Sequence, residues 1–152
     1  MKVDAISWKI IEALQADGRQ SLKALAETVG LSLPAVSERV KRLEEAGVIE
    51  GYSAHINTES LGYGVEAVIG ITTSRADKPR LMALLQARNE VTECLHVTGA
   101  DSYLIRVVTI NLKHLESFVG YINHLGETRT SIVMSHPIRR RAVKPLNDEF
   151  PD

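Results

Sequence analysis

The stretch GLSLPAVSERVKRLEEAGVIEGY, Gly30 to Tyr52, decides how the rest of the chain is read. Ser32 stands where a helix needs a side-chain acceptor for its free N–H groups. Pro34 falls in the first turn, where a missing N–H costs nothing, and Gly47 offers a left-handed exit. Between these marks Val36, Val40 and Leu43 recur at helical spacing and form an apolar stripe. At about 100° per residue, the outward arc then carries Pro34, Ala35, Ser37, Glu38, Lys41 and Arg42, with Arg39 at its flank.

Upstream, Ile6, Ile10, Ile11 and Leu14 form one helical stripe, and Leu22, Leu25, Ala26 and Val29 form a second. ADGRQS separates them, Ser21 is placed to cap the second helix, and Gly30 fits its left-handed end. Three short helices, the last two joined only by GLS, meet the description of a helix-turn-helix whose third helix enters the major groove. Ser32 and the residues after it near the helix start are placed for base edges. Arg39, Lys41 and Arg42 suit phosphate or guanine, because guanidinium groups offer paired donors. The alternative is a solvated face carrying charge pairs four apart, such as Lys41 with Glu45. VIEGYSAHI then switches to an extended pattern with Gly51 as a turn, which predicts a small β-ribbon or wing.

The whole chain has 152 residues, 44% of them apolar, enough for one medium domain or two small ones with a core. No apolar run approaches the roughly 18 residues that cross a membrane. MKVDAISWKI has charges where a signal peptide needs apolar residues, so a cytoplasmic protein is expected. The single cysteine, Cys94, has no disulfide partner, and five scattered histidines show no metal-ligand spacing, so neither metal nor cofactor is predicted. Net charge is −1, and residues 1–50 carry seven Lys/Arg against eight Asp/Glu. Any nucleic acid must therefore be met by local clusters, at 39–42 or at RRRAVK, 139–144, rather than by a general field.

After the polar connector NTESLGYG the pattern alternates between strands and helices. VEAVIGITT reads as a strand and KPRLMALLQAR as a helix opened by Pro79. VTECLHVT and SYLIRVVTI are strands across the turn GAD, LKHLESFVGYINHL is a helix, and TRTSIVMS is a last strand. The order βαββαβ is the ferredoxin-like arrangement, an antiparallel sheet with both helices on one face. Its other face has no helix to cover it, which predicts a homodimer. The fold class is thus α+β, with a winged helix-turn-helix over 1–52, a connector over 53–63, the βαββαβ domain over 64–144 and a tail over 145–152.

LSLPAVSERVKRLEEAGVIEGYSAHIN resembles the N-terminal signature of the Lrp/AsnC, or feast/famine, transcription regulators, and IIEALQADGRQSLKALAETVGLS resembles the segment preceding it there. VTGADSYLIRV resembles the family's glycine turn and TRTSIVMS its final strand, so the likeness spans nearly the whole chain. It implies a sequence-specific, DNA-binding regulator whose second domain senses a small molecule, usually an amino acid, and assembles as dimers and often octamers. Many members have aspartate at the position of Ser7, where serine also satisfies free helix N–H groups. Many place an acid directly before the aromatic of the glycine turn. Here Ser102 precedes Tyr103, and Asp101 sits one residue earlier, a shift that turns a strand side chain to the opposite face.

In the family the effector lies between subunits near this turn and the final strand. The resemblance therefore implies Asp101 as ammonium partner, backbone N–H groups of Thr98, Gly99, Ala100 and Asp101 for the carboxylate, and Thr98, Tyr103, Thr128 and Thr130 as polar lining. Glycine and aspartate also suit a hairpin turn, and threonine suits strands, for backbone reasons alone. Trp8 reads as a packing anchor, Cys94 and His96 as strand residues, and RRRAVK either as a solvated segment or as a phosphate contact. Two rivals remain. One is a siroheme-decarboxylase-like enzyme of related fold, for which no pocket constellation or phosphate loop is present. The other is an effector-binding or assembly protein without DNA binding, which the near-neutral N-terminal half would suit.

Overall fold

A computed structural model describes residues 3–146. The chain divides into two compact units, Met1–His55 with Ile138–Asp152, and Ile56–Pro137. From Ile138 on, the chain groups with the helical unit, although only six residues separate RRRAVK from the last strand in sequence.

The helical unit contains α1 (Ala5–Ala16), α2 (Leu22–Val29) and α3 (Leu33–Glu45). Their ends follow the sequence signals. Ser21 Oγ accepts from the Ala24 N–H at 3.1 Å, and Gly30 takes a left-handed φ of 71°. Ser32 Oγ accepts from the Ala35 N–H, with Pro34 in the first turn. Gly47, at φ 67°, closes α3, and the N–H groups of Val48 and Ile49 both return to the Leu43 carbonyl. Ile10, Leu25, Ala26, Val36, Val40 and Leu43 form the core. Leu22 departs from its predicted stripe and is 41% exposed, because it is the first residue of α2 and the rest of the helix covers the core.

Two expectations here are corrected. The ribbon turn predicted at Gly51 does not form, and the one turn there is the exit of α3 at Ala46 and Gly47. Residues 50–57 belong to no helix or strand and form no ladder, since no strand lies in this unit among the described residues. Ser7 also differs from its reading as a helix-end acceptor: Asp4 is the cap of α1, accepting from the Ser7 N–H at 2.8 Å, and Ser7 itself is buried.

The second unit follows the predicted βαββαβ order: β1 (Val65–Thr72), α4 (Lys78–Gln86), β2 (Val91–His96), β3 (Tyr103–Thr109), α5 (Leu112–Ile122) and β4 (Glu127–Ile132). All four strands are antiparallel to their neighbours in the order β2-β3-β1-β4. Ala67, Ile69 and Ile71 stand opposite Val107, Ile105 and Tyr103, and this face packs on Leu81 and Leu85 of α4 and Leu115, Phe118 and Ile122 of α5. The opposite face carries Glu66, Val68 and Gly70 of β1, Leu104 and Arg106 of β3, Leu95 of β2 and Arg129 of β4. Arg106 lies between Glu66 at 3.9 Å and Glu93 at 3.8 Å, and His136 Nε2 meets Glu66 at 2.9 Å.

The cap of α1 has a measurable pH signature. The Ser7 N–H and hydroxyl, and then the Arg39 guanidinium, hold the Asp4 carboxyl down from 3.8 to about 2. A folded-state value below the unfolded one adds stability that is complete above about pH 4 and is lost as pH falls toward 2. Asp4→Asn should therefore abolish that part of the decline. Melting temperatures of wild type and variant, compared across pH 6 to 2, check it, and parallel curves would refute it.

Candidate functional site

The exposed arc of α3 is built from the residues the sequence singled out. Val36, Val40 and Leu43 are buried beneath, Ala35 is half-buried, and Pro34, Ser37, Glu38, Lys41 and Arg42 are exposed together with the cap Ser32. The cations on this arc are not bare. Arg42 Nε donates to Glu38 Oε1 at 2.9 Å, and Lys41 Nζ lies 3.7 Å from Glu45. Both are i,i+4 pairs with more than half of each side chain exposed. Such pairs contribute on the order of 0.5 kcal/mol, so either acid is readily exchanged for another anion. At the foot of the helix the Tyr52 hydroxyl donates to Glu44 at 2.9 Å, and burial, then the Glu44 carboxylate, push its pKa up, so it stays a neutral donor.

Arg39 is the exception among the predicted readers. Its Nη1 donates to both Asp4 oxygens, at 3.1 and 2.9 Å, and to Ser7 Oγ at 3.2 Å. It thus ties α3 to the N-terminus of α1 and turns away from the exposed arc. The partner lies 35 residues away, beyond what helical periodicity can reveal.

The glycine turn of the second unit is fastened to β1. The Ser102 N–H donates to the Ile71 carbonyl at 2.9 Å, and Thr72 Oγ1 donates to the Ala100 carbonyl at 2.9 Å. Gly99 takes a φ of +114°, which excludes a side chain there, and Thr98, Gly99 and Ala100 form an exposed rim. From this rim Asp101 folds across the open sheet face. A Cβ on Gly70 would lie 2.6 Å from the Asp101 Cγ, so glycine in the middle of β1 is what admits the carboxylate. Asp101 Oδ1 then accepts from Arg129 Nη2 at 2.5 Å, and this bond, with the Asp101 charge, raises the Arg129 pKa.

The structure gathers only part of the predicted effector lining. Tyr103 stands opposite Ile71 on the helix-covered face, where its ring meets His96 at 5.0 Å and the Lys78 ammonium at 5.7 Å. Thr128 and Thr130 stand opposite Ile71 and Ile69, on that same face of edge strand β4. Strand alternation therefore separates all three from Asp101 and puts Arg129, between the threonines, beside it. Arg129 was legible in principle, as the one charged residue alternating with two threonines, and so was Gly70 within an otherwise β-forming run.

Other conspicuous side chains take structural places. Cys94 packs against the second unit's core, and burial pushes its thiol pKa up, away from reactivity. Trp8 is half-buried in α1 and lies outside the fully buried core. Among the described residues no three His, Cys, Asp or Glu side chains are grouped to hold a metal, and no helix is long and apolar enough to cross a membrane.

Comparison with known proteins matches both units in order. Residues 3–50 match the family model for winged helix-turn-helix DNA-binding, and residues 66–143 match that for the Lrp/AsnC ligand binding domain. The leucine-responsive regulatory protein of Rhizobium meliloti is 39% identical over 95% of this chain and 93% of its own. The structure of LrpC from Bacillus subtilis superposes with a TM-score of 0.88 at 30% identity, over 92% of this chain and all of that one. The feast or famine regulatory protein Rv3291c of Mycobacterium tuberculosis, solved in complex with L-methionine, superposes with a TM-score of 0.84 at 34% identity, over 95% of this chain and 100% of that one. The chain belongs to the Lrp/AsnC family, and it is a transcriptional regulator that joins a DNA-binding winged helix-turn-helix to a ligand-binding α+β unit.

Proposed function

We propose that α3 reads its operator with Ser32, Pro34, Ala35, Ser37 and Glu38 toward base edges, while Lys41 and Arg42 exchange their intrachain acids for phosphates. The observation that carries this reading is the exposed arc itself: short polar side chains at the helix start and two loosely paired cations one turn later. Arg39 holds α3 on α1 and takes no part in contact. Two copies are needed, because successive major grooves lie about 34 Å apart and a single helix reads one of them. The open face of the sheet joins the copies into a dimer, and dimers assemble further to an octamer. The protein works in the cytoplasm as a regulator and not as an enzyme.

The effector is an amino acid, as in the relative bound to L-methionine. Its site is the open-face ion pair: the ammonium group goes to Asp101 and the carboxylate to Arg129, with the rim Thr98–Ala100 beside them. Free ligand and ion pair have the same two charges, so the ligand replaces one internal contact by two of its own.

Two outcomes are expected. Arg42→Ala and Lys41→Ala should weaken binding to every duplex and make log affinity against log salt shallower by about 0.9 for each phosphate no longer engaged. Ser37→Ala should change which sequence is preferred, and Glu38→Ala should also raise non-specific affinity by freeing Arg42. Fluorescence anisotropy over a salt series checks this, and an unchanged slope in Arg42→Ala would misplace the helix. For the effector, a thermal-shift screen of the twenty amino acids should find a stabilising ligand. Asp101→Asn and Arg129→Gln should each weaken it on the order of tenfold or more, the loss of one charge-assisted hydrogen bond. Gly70→Ala, which changes no charge, should weaken it too by displacing the Asp101 carboxylate. Undiminished stabilisation in all three variants would leave Asp101 a turn residue only.

A further inference from the structure

The helical unit, counted over residues 1–55, has seven cations and eight acids, an unpromising balance for a protein that binds a polyanion. On α3 itself, every cation has a carboxylate partner: Arg39 with Asp4, Lys41 with Glu45, Arg42 with Glu38. The segment from Ile138 offers a local cluster instead. It belongs to the same unit and places Arg139, Arg140, Arg141 and Lys144 within six residues with no acid among them, while Asp148, Glu149 and Asp152 further on bring the whole unit to eleven cations against eleven acids. All four side chains are exposed, and among the described residues none is paired with a carboxylate.

The segment is held by a two-way contact. Gln15 Nε2 at the end of α1 donates to the Val143 carbonyl at 2.9 Å, and the Val143 N–H donates to Gln15 Oε1 at 2.7 Å. One primary amide thus satisfies both backbone groups of one residue, as a neighbouring strand would. Beside it runs an open groove of about 1040 Å³ lined by Trp8, Ile11 and Leu14 of α1, by Arg140–Val143 and by Val48–His55. Leu14, Gly18 and Tyr52 line this groove and also the smaller one that reaches Ser37, Lys41 and Glu44 of α3. Tyr52, bonded to Glu44, therefore stands between the basic segment and the exposed flank of the third helix.

We propose that residues 139–144 are a phosphate-binding arm of the DNA-binding unit, docked on α1 by Gln15 and extending the contact made by α3 onto the backbone of the flanking DNA. This rests on DNA binding by α3 and adds to it a second surface, one that carries affinity without sequence information. The arm supplies a local cluster of exposed cations that the three helices lack. Gln15 acts as its positioning residue.

The test uses the full-length protein and mixed-sequence duplex DNA, for which no operator need be known, in an anisotropy titration over a salt series. Replacing Arg139, Arg140 and Arg141 and Lys144 by Gln together should make log affinity against log salt shallower by up to about 3.6, at about 0.9 per phosphate engaged, with melting temperature and oligomeric state unchanged. A change smaller than one phosphate's worth overturns the proposal. Removing three exposed cations of the other unit, Arg75, Arg80 and Lys113, should not reproduce the loss, and an equal effect per charge removed would overturn it as mere net charge. Gln15→Ala keeps every charge and should still weaken binding several-fold, so wild-type affinity in that variant refutes docking by Gln15. Wild-type protein that fails to bind the duplex at all would instead refute DNA binding by α3, and the arm with it.

Discussion

The register of β1 against β3, with Ile69 opposite Ile105, is the constraint on which the second unit depends. Side chains alternate between the faces of a strand, so this one pairing decides where every neighbour points. It commits Ala67, Ile71, Val107 and Tyr103 to the side covered by α4 and α5, and it leaves Gly70, Leu104 and Arg106 on the open side. Through β4, paired to β1 with Thr130 opposite Ile69, it sends Arg129 to the open side as well. A slip of one residue would bury Arg106 and Arg129 and expose the isoleucines. The apolar cost of that exchange, about 2 kcal/mol for each large aliphatic side chain, makes the alternative inaccessible.

The same register explains the shifted acid of the glycine turn. In a strand, moving a carboxylate by one position takes it to the other face. Asp101, however, lies in the turn, and its path is set by the Ser102 N–H bonded to Ile71 and the Ala100 carbonyl bonded to Thr72. Those bonds lay the carboxylate flat across β1, a course open only because residue 70 has no Cβ. A strand that loses a β-forming residue at its centre becomes the floor of a charged site.

In the helical unit the governing contact is polar. Arg39 bridges the cap of α1 to the middle of α3, fixing their relative placement by three hydrogen bonds around a partly shielded guanidinium. What remains on the outer arc of α3 is electrically almost balanced. A helix with balanced charge discriminates by fit and hydrogen bonding more than by attraction. Attraction then has to come from elsewhere in the unit, and the segment after β4 is where unpaired cations are concentrated among the described residues.

Much of this was legible in the chain itself. Ser21, Ser32, Gly30 and Pro34 marked helix ends because capping is a local matter, settled within four residues. The βαββαβ order and the buried face of α3 followed from periodicity, which is equally local. Leu22 and Gly51 were misjudged for the opposite reason, and periodicity could not show the bond of Arg39 to Asp4 or the sheet face taken by Thr128, Thr130 and Tyr103. Whether a stripe residue is covered, which face of an edge strand meets a turn, and which acid an arginine chooses all depend on chain segments far away in sequence. The sequence by itself determined the elements, their order and the family resemblance, because these rest on interactions between residues a few positions apart. Only the tertiary structure decided that Asp101 meets Arg129 over Gly70, that Arg39 faces inward and that the basic segment joins the helical unit, because those contacts close loops of 28, 35 and 128 residues.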